Sequence, residues 1–164
     1  MTPQSAVTLA HYNRWMNERL FDACARLDPD EITEDKGAFF GSILATLNHI
    51  AVADTIWLHR FADQANAPAA LQALASLPRP TSLREPIAND LPGLRAYRLR
   101  LDALICGWAE GLRAEDLQAT LHYANMAGVR NAKRLGDLLL HFFNHQDRKS
   151  TRLNSSHSQQ SRMP

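Results

Sequence analysis

The chain has 164 residues, of which 45% are hydrophobic and 21% are charged, and its formal net charge is +1. This length suits one globular domain with its own hydrophobic core. A nearly neutral chain gives no electrostatic case for binding nucleic acid or an anionic membrane surface. No apolar run in the sequence is as long as a membrane span. The N-terminus also lacks the basic segment and following apolar block of a signal peptide, so we expect a cytoplasmic protein. Cys24 and Cys106 lie in separate helical patterns and are interpreted as buried thiols in a reducing compartment.

The first predicted element is a helix from about residue 7 to residue 27. Apolar residues recur at steps of three and four along it and predict the buried face: Leu9, Tyr12, Met16, Leu20, Ala23 and Leu27. Asn13 and Asn17 are assigned to other faces. Pro29 ends the pattern because proline cannot continue the helical hydrogen bonds.

The second predicted helix begins after Ser42, a plausible N-cap residue, and ends near residue 62. Its apolar stripe consists of Ile43, Leu47, Ile50, Trp57, Leu58 and Phe61. His49 lies beside this stripe, so its side chain is expected to point towards the bundle interior or its rim. Asp54 lies on the stripe itself and needs a partner, either a histidine or a backbone group, because an unpaired buried carboxylate is costly. Phe39 and Phe40 precede this helix and are predicted to fill the core, whereas His11 and His59 are predicted on the surface.

A proline-rich connection of residues 63–92 follows, with a short helix expected from Ala69 to Leu77. Its length predicts a crossover to the far end of the bundle. The third helix begins near Asp90 and has the regular seam of a bundle helix, formed by Leu94, Tyr97, Leu101, Leu104 and Trp108. Arg95, Arg98 and Arg100 are predicted to face solvent.

Residues 119–131 are predicted to form a small hairpin with Gly128 in the turn and His122 facing outwards. A fourth helix starts near Lys133 and contains His141 and His145. Since an α-helix has about 3.6 residues per turn, these two histidines share one face and can bind one metal ion. The alternative interpretation is a pair of structural histidines beside a stripe of Leu and Phe.

The C-terminal residues 147–164 have a different character. Asp147 to His157 and Ser161 to Pro164 look like a sequencing-adapter oligonucleotide translated in frame. The segment is rich in Ser, Asn, Gln and Arg, so it cannot bury enough apolar surface to order itself, and we expect a disordered, non-native tail. Residues 1–146 are therefore interpreted as one domain that is shortened at its C-terminus.

Several segments in this order resemble the DinB-like family of four-helix-bundle metalloproteins. They are residues 12–20 (YNRWMNERL), 37–43 (GAFFGSI), 47–58 (LNHI, AD and IWL within it) and 140–146 (LHFFNHQ). The resemblance covers essentially all of residues 8–146. It implies an all-α fold, namely a four-helix bundle with a long crossover connection.

The resemblance also implies a divalent metal, such as zinc or nickel, held by three histidines. The matching positions here are His49 and His145, and the third ligand is expected at the position occupied by Lys149. A protonated lysine repels a cation where an imidazole should donate, so we expect an incomplete site that binds its metal weakly. An alternative set, which needs no residue of the tail, is His49, His141 and His145.

Relatives of this kind imply a metal-dependent enzyme, either a thiol-dependent transferase or a hydrolase. The expected partners are a small-molecule substrate, a low-molecular-weight thiol and a second copy of the chain in a homodimer. The family name refers to damage inducibility, but the charge of this chain argues against a nucleic-acid partner. The alternative from another class is a non-enzymatic helical binding or stress-response protein with a structural metal or none. The sequence assigns no general acid or base.

Overall fold

The structure is a computed structural model and describes residues 1–37, 39–64 and 69–145; the predicted tail lies outside them. The helices are α1 (Pro3–Cys24), α2 (Pro29–Thr33), α3 (Ile43–Ala62), α4 (Leu91–Glu110), α5 (Ala114–Gln118) and α6 (residues 135–145), and a 3₁₀-helix covers Ala69–Ser76. Strands β1 (Thr120–Ala124) and β2 (Arg130–Arg134) pair antiparallel. The predicted all-α fold with a small hairpin is confirmed. Among the described helices, none is long and apolar enough to cross a bilayer.

Side-chain caps fix where the long helices begin. Ser42 accepts a hydrogen bond from the backbone N–H of Ala45, as predicted for an N-cap residue. Asp90, near which the third helix was predicted to begin, accepts one from the N–H of Gly93 at 2.6 Å. Thr2 and Ser5 form a capping box, so α1 begins at Pro3, earlier than predicted. Lys133 belongs to β2, and α6 therefore begins two residues after the predicted start.

Helix α1 packs antiparallel to α4. Asp22, near the end of α1, pairs with Arg95, near the start of α4. His11, nearer the start of α1, contacts Glu110 at the end of α4 with 3.0 Å between Nε2 and Oε1. The first and third predicted helices are therefore direct neighbours despite their separation in sequence.

Helix α3, by contrast, runs parallel to α4. Thr55 Oγ1 lies 2.9 Å from Tyr97 Oη in the middle of the two helices, and Phe61 stacks on Trp108 at their C-terminal ends. Two parallel helices need a connection that returns along their length, and the segment between residues 62 and 91 provides it. The predicted crossover is confirmed.

The core follows the predicted seams of α3, α4 and α6. Residues on these seams that are at most 3% exposed include Leu47, Ile50, Leu101, Trp108, Leu139 and Phe143. Four other residues predicted to be buried are half-buried, namely Leu9, Met16, Trp57 and Leu104. Both cysteines are free and buried, and burial raises the pKa of Cys24 to about 11, so little of this thiol ionises near neutral pH.

The predicted buried face of α1 is only partly correct: Leu20 is buried and Leu9 and Met16 are half-buried, but Tyr12 is 43% exposed. Its ring lies beside that of Trp15 on the surface, with 6.0 Å between the ring centroids. The buried residues of α1 are Ala6, Ala10, Asn13, Asn17, Leu20, Phe21 and Cys24, so the two asparagines that were assigned to other faces lie inside. Two alanines on this face let α1 approach its neighbour closely, and the Asn17 amide finds a partner on α4.

That partner belongs to a buried charge cluster, which consists of Asn17, Asp54, Arg98 and Asp102. Arg98 Nη1 donates to Asp54 Oδ2 at 2.5 Å, Arg98 Nη2 lies 2.9 Å from Asp102 Oδ1, and Asn17 Nδ2 donates to Asp102 Oδ1 at 3.0 Å. Arg98 is only 3% exposed, so its predicted position facing solvent is wrong. Asp54 needed a partner on its apolar stripe, and this guanidinium is one.

The cluster leads to a prediction about pH. Burial raises the pKa of Asp102 above its ordinary value of 3.8, although Arg98 and Asn17 act in the opposite direction. A carboxyl group with a raised pKa in the folded state stabilises the fold below its unfolded pKa, and that contribution is lost as the pH rises through the folded pKa. We therefore expect Asp102→Asn to remove a fall in the free energy of unfolding that wild type shows above about pH 4, measured by urea denaturation over a pH series.

Asp116→Asn is the control, because its effect on the pH dependence of the free energy of unfolding should have the opposite sign. Hydrogen bonding from the Arg113 backbone lowers the pKa of Asp116, so this carboxylate stabilises the fold above its unfolded pKa. Its replacement should remove a gain in stability with rising pH. Identical pH slopes for wild type and Asp102→Asn would contradict the expectation for Asp102.

Candidate metal centre

His49 lies on the second turn of α3 and is 8% exposed. Its Nδ1 is 3.1 Å from the carbonyl oxygen of Leu83. Because a carbonyl only accepts, Nδ1 carries the hydrogen of the neutral ring, and Nε2 carries the lone pair that a metal ligand requires. The backbone of the crossover thus fixes both the tautomer and the orientation of this histidine.

The aromatic residues before α3 hold the other side of this ring. Phe40 stacks on the His49 ring with 3.9 Å between centroids, and Phe39 packs edge-on against Phe40. Gly41 follows with φ of +81°, a conformation that favours glycine and turns the chain towards the cap of α3. Phe39 is 79% exposed, so its predicted role in the core is wrong, whereas Phe40 is half-buried against the candidate ligand.

His145, on α6, is the second predicted ligand and lies next to the first. The ring centroids of His49 and His145 are 5.9 Å apart. Two imidazoles that share one ion, with metal–nitrogen distances of about 2 Å, have centroids roughly 5 Å apart. The observed pair is close to that separation, and a small rotation of the His145 side chain would complete the approach. The two residues therefore fit a shared divalent ion.

His141 lies one turn earlier on α6 and is exposed. Its ring centroid is 6.4 Å from that of His145 and 5.8 Å from that of Trp57. Within residues 1–37, 39–64 and 69–145, no three His, Cys, Asp or Glu side chains converge closely enough to hold a metal ion. The structure brings together His49 and His145, and position 149 lies outside the described residues.

A cleft of about 670 Å³ opens beside His49. Its walls are the loop before α3, the first turns of α3 and residues 83–89 of the crossover. The volume lies in the usual range for small-molecule sites. Ionic groups line it as well as apolar ones, namely Asp35, Arg84 and Glu85. A substrate in this cleft would lie against the His49 ring.

Asn48 builds this cleft, a role that the sequence analysis did not assign. Its Oδ1 accepts hydrogen bonds from the backbone N–H groups of Ile87 and Ala88 at 2.7 and 3.2 Å. Its Nδ2 donates to the carbonyl oxygen of Ala88 at 2.9 Å. Asn48 is 7% exposed. Its position within an apolar helical pattern was the feature of the sequence that could have indicated this role, because a buried amide needs hydrogen-bond partners and a packed loop supplies them.

The remaining histidines lie away from the pair. His59 is 8% exposed, so its predicted surface position is wrong; its Nε2 is 3.2 Å from the Pro78 carbonyl oxygen, and burial lowers its pKa. His122 is exposed, as predicted, and His11 contacts Glu110 at a half-buried position. None of these three rings contributes to the centre formed by His49 and His145.

One comparison with known proteins gives a match. A family model described as the DinB family matches residues 1–148, which is most of the chain. No curated protein and no solved structure matches it.

Proposed function

Because the chain belongs to the DinB family, we propose that it is a divalent-metal-binding protein whose ligands include His49 and His145. The observation that carries the proposal is the approach of these two rings to 5.9 Å, with His49 already oriented by the Leu83 carbonyl. By the same resemblance, we propose that the family's third ligand corresponds to the position that Lys149 occupies in this chain. We further propose a metal-dependent enzyme, of the thiol-dependent transferase or hydrolase type.

The residues around His49 suit such a centre. The Leu83 carbonyl holds Nδ1–H, so Nε2 stays basic, and carbonyl partners of this kind orient many metal-bound histidines. The stacked Phe40 ring limits rotation of the imidazole and keeps water from one of its faces. When bound, a divalent ion with an open coordination position supplies a Lewis acid that polarises a carbonyl or lowers the pKa of a thiol. The cleft next to His49 would hold the substrate.

A metal titration tests the ligand assignment. Zinc or nickel should bind wild type at one ion per chain in isothermal titration calorimetry. We expect His49→Gln and His145→Gln each to weaken binding at least about tenfold, because each removes a direct bond to the ion.

His141→Gln is the matched control, since it changes the same residue type on the same helix as His145. It should leave the affinity within about twofold of wild type, which is well below the tenfold effect of losing a ligand. An equal loss for His141→Gln and His145→Gln would favour the alternative set of His49, His141 and His145. Unchanged binding after His49→Gln and His145→Gln together would end the proposal.

A second candidate function is non-enzymatic: a helical binding or stress-response protein in which the ion only joins α3 to α6. It is favoured by one observation, that the two histidines belong to different helices. Cobalt-loaded protein distinguishes the two functions when glutathione is added. An enzyme with an open coordination position should gain a thiolate-to-metal charge-transfer band. A purely structural ion should raise the melting temperature without giving that band.

A further inference from the structure

Part of the crossover is joined to the rest of the protein at a single point. Residues 81–86 belong to no helix or strand, and each of them is exposed. Within the described part of the chain, the only hydrogen bond that joins these six residues to another element runs from His49 Nδ1 to the Leu83 carbonyl oxygen. We call residues 81–86 the cleft segment, because four of them line the cleft beside His49.

Buried side chains of α3 hold the crossover on both sides of the cleft segment. After it, Asn48 makes three hydrogen bonds to the backbone of Ile87 and Ala88. Before it, His59 Nε2 is 3.2 Å from the Pro78 carbonyl oxygen. A backbone stretch with so few contacts of its own opens at a low cost in free energy. The position of the cleft segment therefore depends on its one bond to a candidate metal ligand.

Metal coordination should strengthen this bond. Coordination at Nε2 of His49 draws electron density from the imidazole, so Nδ1–H becomes a better donor to the Leu83 carbonyl oxygen. Hydrogen bonds in which one partner is ionised are roughly twice as strong as neutral ones, and a coordinated imidazole approaches that case. The same ring thus connects the occupancy of the metal centre to the wall of the neighbouring cleft.

We propose that metal occupancy at His49 holds the cleft segment in place and so completes one wall of the substrate cleft. This inference rests on the proposed function, because it needs an ion at His49. The coupling is reciprocal, so a substrate that holds the cleft segment against α3 also raises the affinity for the ion. The cleft therefore binds its substrate more tightly in the metal-loaded protein, even where the substrate does not touch the metal.

Hydrogen–deuterium exchange of the full chain tests the coupling, at a zinc concentration that saturates wild type in calorimetry. Zinc should slow exchange of the amides in the cleft segment about threefold or more, and should change the amides of β1 and β2 much less. His145→Gln should remove this slowing at the same zinc concentration, because it removes a ligand and leaves His49 in place. His141→Gln is the matched control on α6 and should keep the slowing.

Spectra of protein labelled with ¹⁵N-histidine test the bond itself. In the zinc-loaded protein, His49 should keep its hydrogen on Nδ1, and the resonance of that hydrogen should move downfield because its hydrogen bond strengthens. The resonance is assigned by its absence in His49→Gln. Loss of the hydrogen from Nδ1 in the presence of zinc would mean that the ion binds at the wrong nitrogen for this coupling, and would overturn the inference.

The exchange experiment separates this inference from the proposed function. Zinc that binds at one ion per chain without slowing exchange in the cleft segment would overturn the inference and leave metal binding by His49 and His145 intact. Equal slowing in β1 and β2 would also overturn it, because the effect would then be a general gain in stability. A protein that binds no zinc in calorimetry would overturn both.

Discussion

Replacing Arg98 by methionine is expected to lower the free energy of unfolding by about 3–5 kcal/mol, the usual cost of breaking a buried ion pair by removing one partner. The substitution leaves Asp54 and Asp102, which are 1% and 2% exposed, without the guanidinium between them. Methionine fills most of the space of the arginine stem, so the loss of stability comes mainly from the missing charge and only in small part from a cavity. Urea denaturation followed by circular dichroism measures it.

Arg95→Met is the matched control one turn earlier on α4. Arg95 pairs with Asp22 at the surface, where an ion pair contributes about 0–1 kcal/mol. Combining Arg98→Met with Asp54→Asn and Asp102→Asn should recover part of the loss, because the uncompensated charges are then gone. A cost for Arg98→Met no greater than that for Arg95→Met would mean that the buried charge cluster contributes little to stability.

The second large effect is expected at the proposed metal centre. Lys149→His should tighten zinc or nickel binding about tenfold or more, since it replaces an ammonium group by a third imidazole at the position that the family resemblance assigns to a ligand. Position 149 lies outside the described residues, so this expectation rests on the resemblance and on the pair formed by His49 and His145. Isothermal titration calorimetry at one fixed pH measures the change.

Lys149→Gln separates the two effects of this substitution, because it removes the positive charge without adding a strong ligand. It should tighten binding less than Lys149→His does. The gain from the new histidine should also shrink when His49 is replaced by Gln. If Lys149→His and Lys149→Gln bind the ion equally, position 149 supplies no ligand in this chain.

Sequence periodicity predicted the seams of α3, α4 and α6 because each of these helices has one dominant apolar stripe. Helix α1 has two stripes with similar spacing that share Leu20, and the predicted stripe, which is richer in large apolar residues, also contains the exposed Tyr12. The buried stripe contains Ala6, Ala10 and Asn17, and its advantage depends on Asp102, more than eighty residues away. Hydropathy along one helix cannot reveal such a partner.

The candidate metal centre also has a part that the sequence predicted and a part that it did not. The spacing of His141 and His145 and the position of His49 beside an apolar stripe are local patterns, and they led to the pair of rings that the structure brings together. The Leu83 carbonyl and the backbone groups that contact Asn48 belong to the irregular crossover. The sequence of this segment has no hydrophobic periodicity from which its position could be predicted. Two features of the sequence were consistent with a buried Arg98: Asp102 lies four positions later on the same helix, and Asp54 on the apolar stripe of α3 needs a partner. Neither feature by itself identified the ion pairs that Arg98 forms.

The buried charge cluster also bears on how the chain is made. Asn17 and Asp54 leave the ribosome before Arg98, which follows Asp54 by 44 residues. At roughly 5–20 residues per second, that delay lasts about 2–9 seconds. During this interval α1 and α3 lack α4, the helix on which both of them pack in the finished protein, and the Arg98 cation of the cluster has not been synthesised. The nascent N-terminal half should therefore stay open to chaperones and proteases, and its assembly should begin only once α4 emerges.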